Sequence, residues 1–196
     1  MTFEKAQNNN ASLVIETAVG KEIEKVSINS VPIDKTPTDV GFQFTKPKRN
    51  VVQCFIHCSA SSNPKHDNIQ TIQAWHLARG FNEVGYHYFI RKDGTLEAGR
   101  SIEKIPAAQK ESITRNNIKI GGNTGTIAIC LHGGGGTPPV NDFTQAQYNT
   151  IKNLCNQINS AYNGNITFHG HCEVANKVCP VFDYKKVLGL VNGKMI

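Results

Sequence analysis

The 196-residue chain is 39% apolar and 18% charged, a globular mixture long enough to bury a core. Its 21 Lys and Arg exceed its 15 Asp and Glu by 6, which favours an anionic partner without choosing one. No stretch approaches the roughly 18 consecutive apolar residues of a membrane-spanning helix, so no membrane partner is expected.

Met1-Thr2-Phe3-Glu4-Lys5 lacks the basic-then-apolar plan of a secretion signal, so export by that route is not expected. Leu13-Val14-Ile15 and the partly alternating Ile23, Val26 and Ile28 flank Gly20-Lys21. They predict a small hairpin with no core of its own. Asp34 to Asn50, with Pro37, Gly41 and Pro47 among polar residues, reads as a linker or covering arm. Residues 1–50 carry 7 basic and 6 acidic side chains, and residues 51–196 carry 14 and 9. The expected organisation is an N-terminal extension, 1–50, ahead of one catalytic domain, 51–196.

From Val51 the signals sharpen. Val51 to His57 is an apolar run of buried-strand type. Ile69, Ile72, Trp75, His76 and Arg79 follow at helical spacing, with Asp67 or Asn68 as cap and Gly80 as stop. Gly85 to Arg91 is aromatic and β-rich, and Asp93-Gly94 turns it into Thr95-Leu96-Glu97. Strict alternation there would put Tyr86 and Tyr88 on one face and His87 on the other. Thr124 to Leu131 predicts another buried strand, and Gly133 to Gly136 a turn-rich surface loop. Thr144 to Tyr162 is the longest helix, with Tyr148, Ile151, Leu154, Cys155 and Ile158 along one face. Ile166 to His169 is a short strand and Tyr184 to Leu190 a last helix. Strands interleaved with helices predict an α/β domain with a central mixed sheet flanked by helices.

Six cysteines without a secretion signal argue against a disulfide framework. Cys54, Cys130 and Cys155 sit in apolar runs as buried thiols. His57 ends the first core strand, where a sheet presents functional groups. After the strand Ile166 to His169 comes a loop dense in soft ligands, with His171, Cys172 and Cys179. A catalytic zinc needs three such ligands and an open position. His57, His171 and Cys179 supply three, with His169 and Cys172 as alternatives that spacing leaves open. Lys177 stands two residues before Cys179, so an extended stretch would place an ammonium beside the thiol and lower its pKa. Tyr86 fits sheet packing and catalysis equally well. No G-x-S-x-G elbow accompanies His132-Gly133-Gly134-Gly135, and no phosphate-binding glycine loop occurs. Basic residues are scattered rather than striped, so no nucleic-acid partner is expected.

Five blocks taken together resemble one family. They are His57-Cys58-Ser59-Ala60, Gln73-Ala74-Trp75-His76, Val84-Gly85-Tyr86-His87-Tyr88-Phe89-Ile90, Lys92 to Arg100 (KDGTLEAGR), and His171 to Pro180 (HCEVANKVCP). Their order and spacing are similar to the zinc N-acetylmuramoyl-L-alanine amidases, the type 2 amidase and peptidoglycan-recognition fold. The small amidase lysozymes of bacteriophages are the nearest in character. The likeness spans about Val51 to Leu190.

The resemblance implies Zn2+ as cofactor, held by His57, His171 and Cys179, with Tyr86 and Lys177 as catalytic helpers. It implies bacterial peptidoglycan as substrate, cut between the lactyl group of N-acetylmuramic acid and the L-alanine of the stem peptide. The family often carries a substrate-facing histidine after a stretch like Pro106-Ala107-Ala108. This chain has Gln109 there, which makes Gln109 the expected substrate contact. A monomeric endolysin, held in the host cytoplasm until lysis, is the expected setting. Carriage in a virion, with residues 1–50 as the attachment piece, is the alternative. A non-catalytic peptidoglycan receptor shares this fold, but Cys179 and Tyr86 favour the enzyme. Some phage amidases also bind an RNA polymerase, and no residue pattern here speaks for that role.

Overall fold

The computed structural model describes residues 42–196, so the hairpin expected between Leu13 and Ile28 lies outside the described residues. Strand β1 (Gln53–Cys58) is buried along its whole length. Helix α1 (Ile69–Ala78) begins where Asn68 accepts the Thr71 N–H at 2.8 Å and the buried Glu97 carboxylate accepts the Ile69 N–H at 2.6 Å. Both satisfy donors that a helix start leaves open. β2 (Tyr88–Ile90) and β3 (Leu96–Ala98) form the antiparallel hairpin across Asp93-Gly94.

A second hairpin follows, β4 (Ser112–Arg115) with β5 (Ile118–Gly121), which the apolar pattern does not announce. Its turn is Asn116-Asn117, at φ 50° and 60°. Asparagine tolerates that left-handed backbone, and two such residues make the preferred hairpin turn. β6 (Thr126–Leu131) leads to α2 (Gln145–Ala161), opened by a Thr144/Gln147 capping box. β7 (Thr167–Gly170), α3 (Tyr184–Leu188) and a small pair, β8 (Leu190–Val191) with β9 (Lys194–Met195), complete the domain.

The main sheet runs β3-β2-β6-β1-β7. β1 pairs in parallel with both β6 and β7, β2 pairs in parallel with β6, and only β3 is antiparallel. This is the mixed α/β sheet the sequence predicts. Alternation sorts its two faces. Cys54, Ile56, Ile127, Ile129, Leu131 and Phe168 pack with Ile151, Leu154 and Ile158 of α2 and Leu188 of α3. On the other face Phe89 and Cys130 meet Ile69 and Ile72 of α1, and Phe55 meets Ile120 of the second hairpin. His57 shares the Phe55 face by parity.

Two expectations are corrected here. Tyr86 and Tyr88 do not share a face: Tyr88 joins the α2 side and Tyr86 the α1 side. Regular pleating starts only at Tyr88, because His87 engages Ala128 twice. Its backbone N–H donates to the Ala128 carbonyl at 2.9 Å, and its Nδ1 accepts the Ala128 N–H at 3.0 Å. The glycine run is not a surface loop, since Gly133, Gly134 and Gly135 are buried. A Cβ on Gly134 would stand 2.9 Å from Val181 and 3.0 Å from Cys58 Sγ, so only glycine fits that approach.

Residues 42–49 lie on this domain. Phe42 meets the Tyr88 ring edge-on at 5.7 Å, and the Phe44 N–H donates to Gln157 Oε1 at 2.8 Å. Arg49 donates to the carbonyls of Ile102 at 2.6 Å and Thr126 at 2.8 Å. Cutting the chain before Lys48 rather than before Phe42 is therefore expected to cost about 2 kcal/mol. Two half-buried phenylalanines each give roughly half of a full burial. Urea unfolding of the two truncated chains measures it.

Acid provides a second test. His87 is buried and depressed to about 3, and His76 to about 4, in both cases chiefly by burial. The unfolded chain protonates histidines near 6.5, so it binds more protons than the folded one between that value and the depressed ones. Stability is full above about pH 6.5 and falls as pH drops through this window. Unfolding of the zinc-free protein near pH 5 should take up about two protons or more, read from the pH dependence of the urea midpoint.

Candidate metal centre

Parallel pairing decides which side chains meet. β1 and β7 run in register from Gln53 opposite Thr167 to Ile56 opposite Gly170. One step further sets His57 beside His171, which opens a 3-10 turn, His171–Glu173, directly after β7. The two rings lie 4.8 Å apart, edge to face. Gly170 permits the crowding, since a Cβ there would stand 2.6 Å from the Tyr184 ring and 3.0 Å from Pro180. The chain then folds back over the end of β1. The Cys172 N–H donates to the Cys179 carbonyl at 2.7 Å, and the Cys58 N–H donates to Cys179 Sγ at 3.3 Å.

The result is a cluster whose donor atoms, from His57, His171 and Cys179, all lie within 4.8 Å of one another. Among the described residues it is the one such group of three His, Cys, Asp or Glu. The two alternatives go elsewhere. His169 stacks on Phe55 at 5.3 Å, between Glu173 at 3.2 Å and Thr167 at 2.9 Å. Cys172 is exposed.

Burial, then the neighbouring His171, depresses His57 to about 3, and burial also lowers His171. Both imidazoles are therefore neutral at pH 7 and keep a lone pair for a metal. The Cys58 thiol and burial push the Cys179 thiol up, so its thiolate needs a cation at the cluster. Two neutral imidazoles and one thiol suit zinc. A tetrahedral zinc with bonds of about 2.0–2.3 Å holds its donors roughly 3.3–3.7 Å apart, inside the 4.8 Å span of this cluster.

Lys177 departs from expectation. The stretch before Cys179 is not extended: the Lys177 N–H turns back to the Ala175 carbonyl at 2.8 Å. Its Nζ lies 3.7 Å from Glu111 Oε1 at the half-open rim. The Tyr86 ring sits 5.2 Å from His57 and 5.4 Å from His76. Burial raises its phenol well above the ordinary value, so the hydroxyl is a neutral donor. Gln109 is only 1% exposed and turns inward, its Oε1 3.0 Å from His57 Nε2. It backs a ligand.

A groove of about 910 Å³ beside the cluster is lined by Tyr86, by Ile72 and Trp75 of α1, by Arg79 at that helix's C-cap and by Phe81. Trp75 and the C-cap residue Arg79 lie four apart, one helical turn, and that spacing is the sequence signal for this wall. Gly134 also lines it. Glu111 reaches both His171 Nε2, at 3.4 Å, and Lys177, yet no sequence pattern marks it.

Known proteins are similar to this chain in sequence and in fold. Residues 47–182 match the family described as N-acetylmuramoyl-L-alanine amidase. The endolysin of Klebsiella phage KP32 is 36% identical over 147 residues, covering 74% of this chain and 89% of that one. The endolysin of Enterobacteria phage T3 is 34% identical over 143 residues, covering 72% and 87%. Among solved structures, the endolysine N-acetylmuramoyl-L-alanine amidase LysCS from Clostridium intestinale URNW superposes with a TM-score of 0.58. At 24% identity, over 76% of this chain and 91% of that one, it shares the fold. By the extent of the family match and of these relatives, the chain belongs to the N-acetylmuramoyl-L-alanine amidase family.

Proposed function

We propose that this chain is a zinc-dependent endolysin that hydrolyses the amide between the lactyl group of N-acetylmuramic acid and L-alanine in bacterial peptidoglycan. The observation that carries the zinc reading is the cluster of two buried neutral imidazoles and a half-buried thiol beside the groove. His57, His171 and Cys179 would hold the ion. Zinc in such a site supplies a Lewis acid for the scissile carbonyl and acidifies water from a pKa of 15.7 to about 7.

The chain's own groups supply the rest. As the carbonyl carbon becomes tetrahedral, negative charge collects on its oxygen, and the Lys177 ammonium stabilises charge developing there. Lys177 is half exposed, so solvent screens this help until substrate fills the groove. Tyr86 stays protonated and offers an O–H donor that orients the attacking water or passes a proton to the departing alanine nitrogen. The basic excess of the chain draws it to the anionic wall, in a salt-dependent way. Action at the wall follows release from the host cytoplasm, and the domain works as a monomer. The Cys179 thiol and the Tyr86 phenol favour this enzyme over a receptor that only binds.

Digested peptidoglycan is expected to yield new L-alanine amino termini and no new reducing sugar ends. Reducing ends without free alanine would make the chain a glycosidase.

Ligands and helpers should separate in a second measurement. Replacing His57, His171 or Cys179 leaves two protein ligands and should abolish metal retention. Lys177→Ala and Tyr86→Phe should keep about one zinc per chain. Their turnover should fall by about 10²–10³-fold, the scale of one lost transition-state contact. Zinc stoichiometry and amide-cleavage rate on all five variants decide it. Full zinc in Cys179→Ser would move the third ligand elsewhere, and full rate in Lys177→Ala would make that lysine a surface residue.

A further inference from the structure

Both histidines of the cluster have their Nε2 atoms facing one short segment, Gln109 to Glu111. Gln109 Oε1 stands 3.0 Å from His57 Nε2, and Glu111 Oε2 stands 3.4 Å from His171 Nε2. We infer that this segment is a positioning device for the metal centre. In this role Gln109 fixes His57 as the Nε2–H tautomer, and Glu111 favours the same tautomer of His171 while holding Lys177.

The argument for Gln109 is one of donors and acceptors. Its amide Nε2 lies 3.2 Å from the Gly122 carbonyl and 3.2 Å from Thr126 Oγ1. The first can only accept. The Thr126 hydroxyl gives its single proton to the Asn123 carbonyl at 2.8 Å, so towards Gln109 it also accepts. Both amide N–H groups are thereby used. The flipped amide would set oxygen against two acceptors, so its orientation is fixed by its partners. Oε1 therefore faces His57, and His57 Nε2 must carry the proton. Nδ1 is left with the lone pair, the nitrogen that can enter the cluster.

The segment itself is pinned. Asn123 Oδ1 accepts the backbone N–H groups of Ala108 and Gln109, each at 3.0 Å. Gln109 carries no charge, so its hold on His57 does not change with pH. Glu111 is the more open partner, its side chain 41% exposed, and its second oxygen lies 3.7 Å from Lys177 Nζ. One carboxylate thus links a ligand to the proposed oxyanion cation. Groups that orient a metal-bound imidazole are worth about 10–100-fold in metal affinity.

The inference rests on the zinc reading of the cluster, and the test separates the two. Imidazole tautomers are read from long-range ¹H–¹⁵N spectra of the full chain, labelled and free of metal. Zinc affinity is read by chelator competition. The wild-type chain should show His57 as Nε2–H. Gln109→Met, similar in volume but without the acceptor, should give a mixture of tautomers and lose about 10–100-fold in zinc affinity. Thr126→Val removes one of the two acceptors that orient the amide and should shift both readouts in the same direction by a smaller amount, which covers a Gln109 variant that folds poorly. Glu111→Ala should lower zinc affinity and kcat. Glu111→Gln should recover affinity but not kcat, because only the carboxylate holds the lysine. An Nδ1–H wild type would overturn the inference whatever zinc does, as would Gln109→Met with unchanged tautomer and affinity. A wild type with the Nε2–H tautomer and no zinc affinity would sink the zinc reading and leave the orientation of His57 standing.

Discussion

The parallel register of β1 with β7 is the constraint on which the rest depends. It sets His57 near the end of β1 beside His171, the first residue after β7, at the end where parallel strands release their chains into loops. A slip of one residue would turn His57 to the α2 face, among Ile129 and Leu154 and away from His171 and Cys179. That register is held by burial on both faces. It is also held by Gln53, which accepts the Gly121 N–H at 3.0 Å and donates to the Lys119 carbonyl at 2.7 Å, fixing the second hairpin to the start of β1. Gly134 and Gly170 follow from the same crowding, since both lie where the strand ends and the returning loop meet within Cβ distance.

Much of this was legible in the residues. Continuous apolar runs gave β1 and β6, the helical spacing of Tyr148, Ile151, Leu154, Cys155 and Ile158 gave α2, and the histidines and cysteines after β7 pointed to a metal-binding loop. The failures have physical causes. The β4–β5 hairpin carries little apolar alternation because much of it faces solvent, and its signal is the pair Asn116-Asn117. Alternation misplaced Tyr86 because a histidine side chain replaced a backbone partner at His87. The glycine run looks like a surface loop in any sequence, since burial of backbone against Ser62 and Cys58 leaves no apolar mark. Spacing alone left His169 and Cys172 open, and what separates them from the cluster is tertiary: a Phe55 ring under one, solvent around the other.

Lys177 and Glu111 show a different limit. Sequence proximity to Cys179 pointed to an ammonium acting on a thiol. Three-dimensional proximity gives the lysine to a carboxylate from a segment 66 residues earlier in the chain. The Glu111 carboxyl is held low by its own backbone N–H first and by His171 and Lys177 after it. Charge is therefore kept at the rim, where water and substrate reach it, while the interior of the centre is neutral apart from the one thiol a cation would ionise.

Neutral amides make that interior possible. Gln53, Gln109 and Gln147 are all buried, and each joins elements that the main sheet does not join. Gln147 donates to the carbonyls of Ile90 at 3.1 Å and His132 at 2.8 Å while its oxygen accepts the Thr144 N–H at 3.1 Å. A buried carboxylate at any of these positions would need a cation beside it, and an alkyl group would leave backbone groups unpaired at a cost of about 1–3 kcal/mol each. A glutamine donates twice and accepts without charge, so it satisfies strand ends and loops at every pH. The acid sensitivity of this fold then falls on its buried histidines rather than on the network that sets their geometry. His57, the proposed ligand, keeps its orientation through a partner that does not titrate.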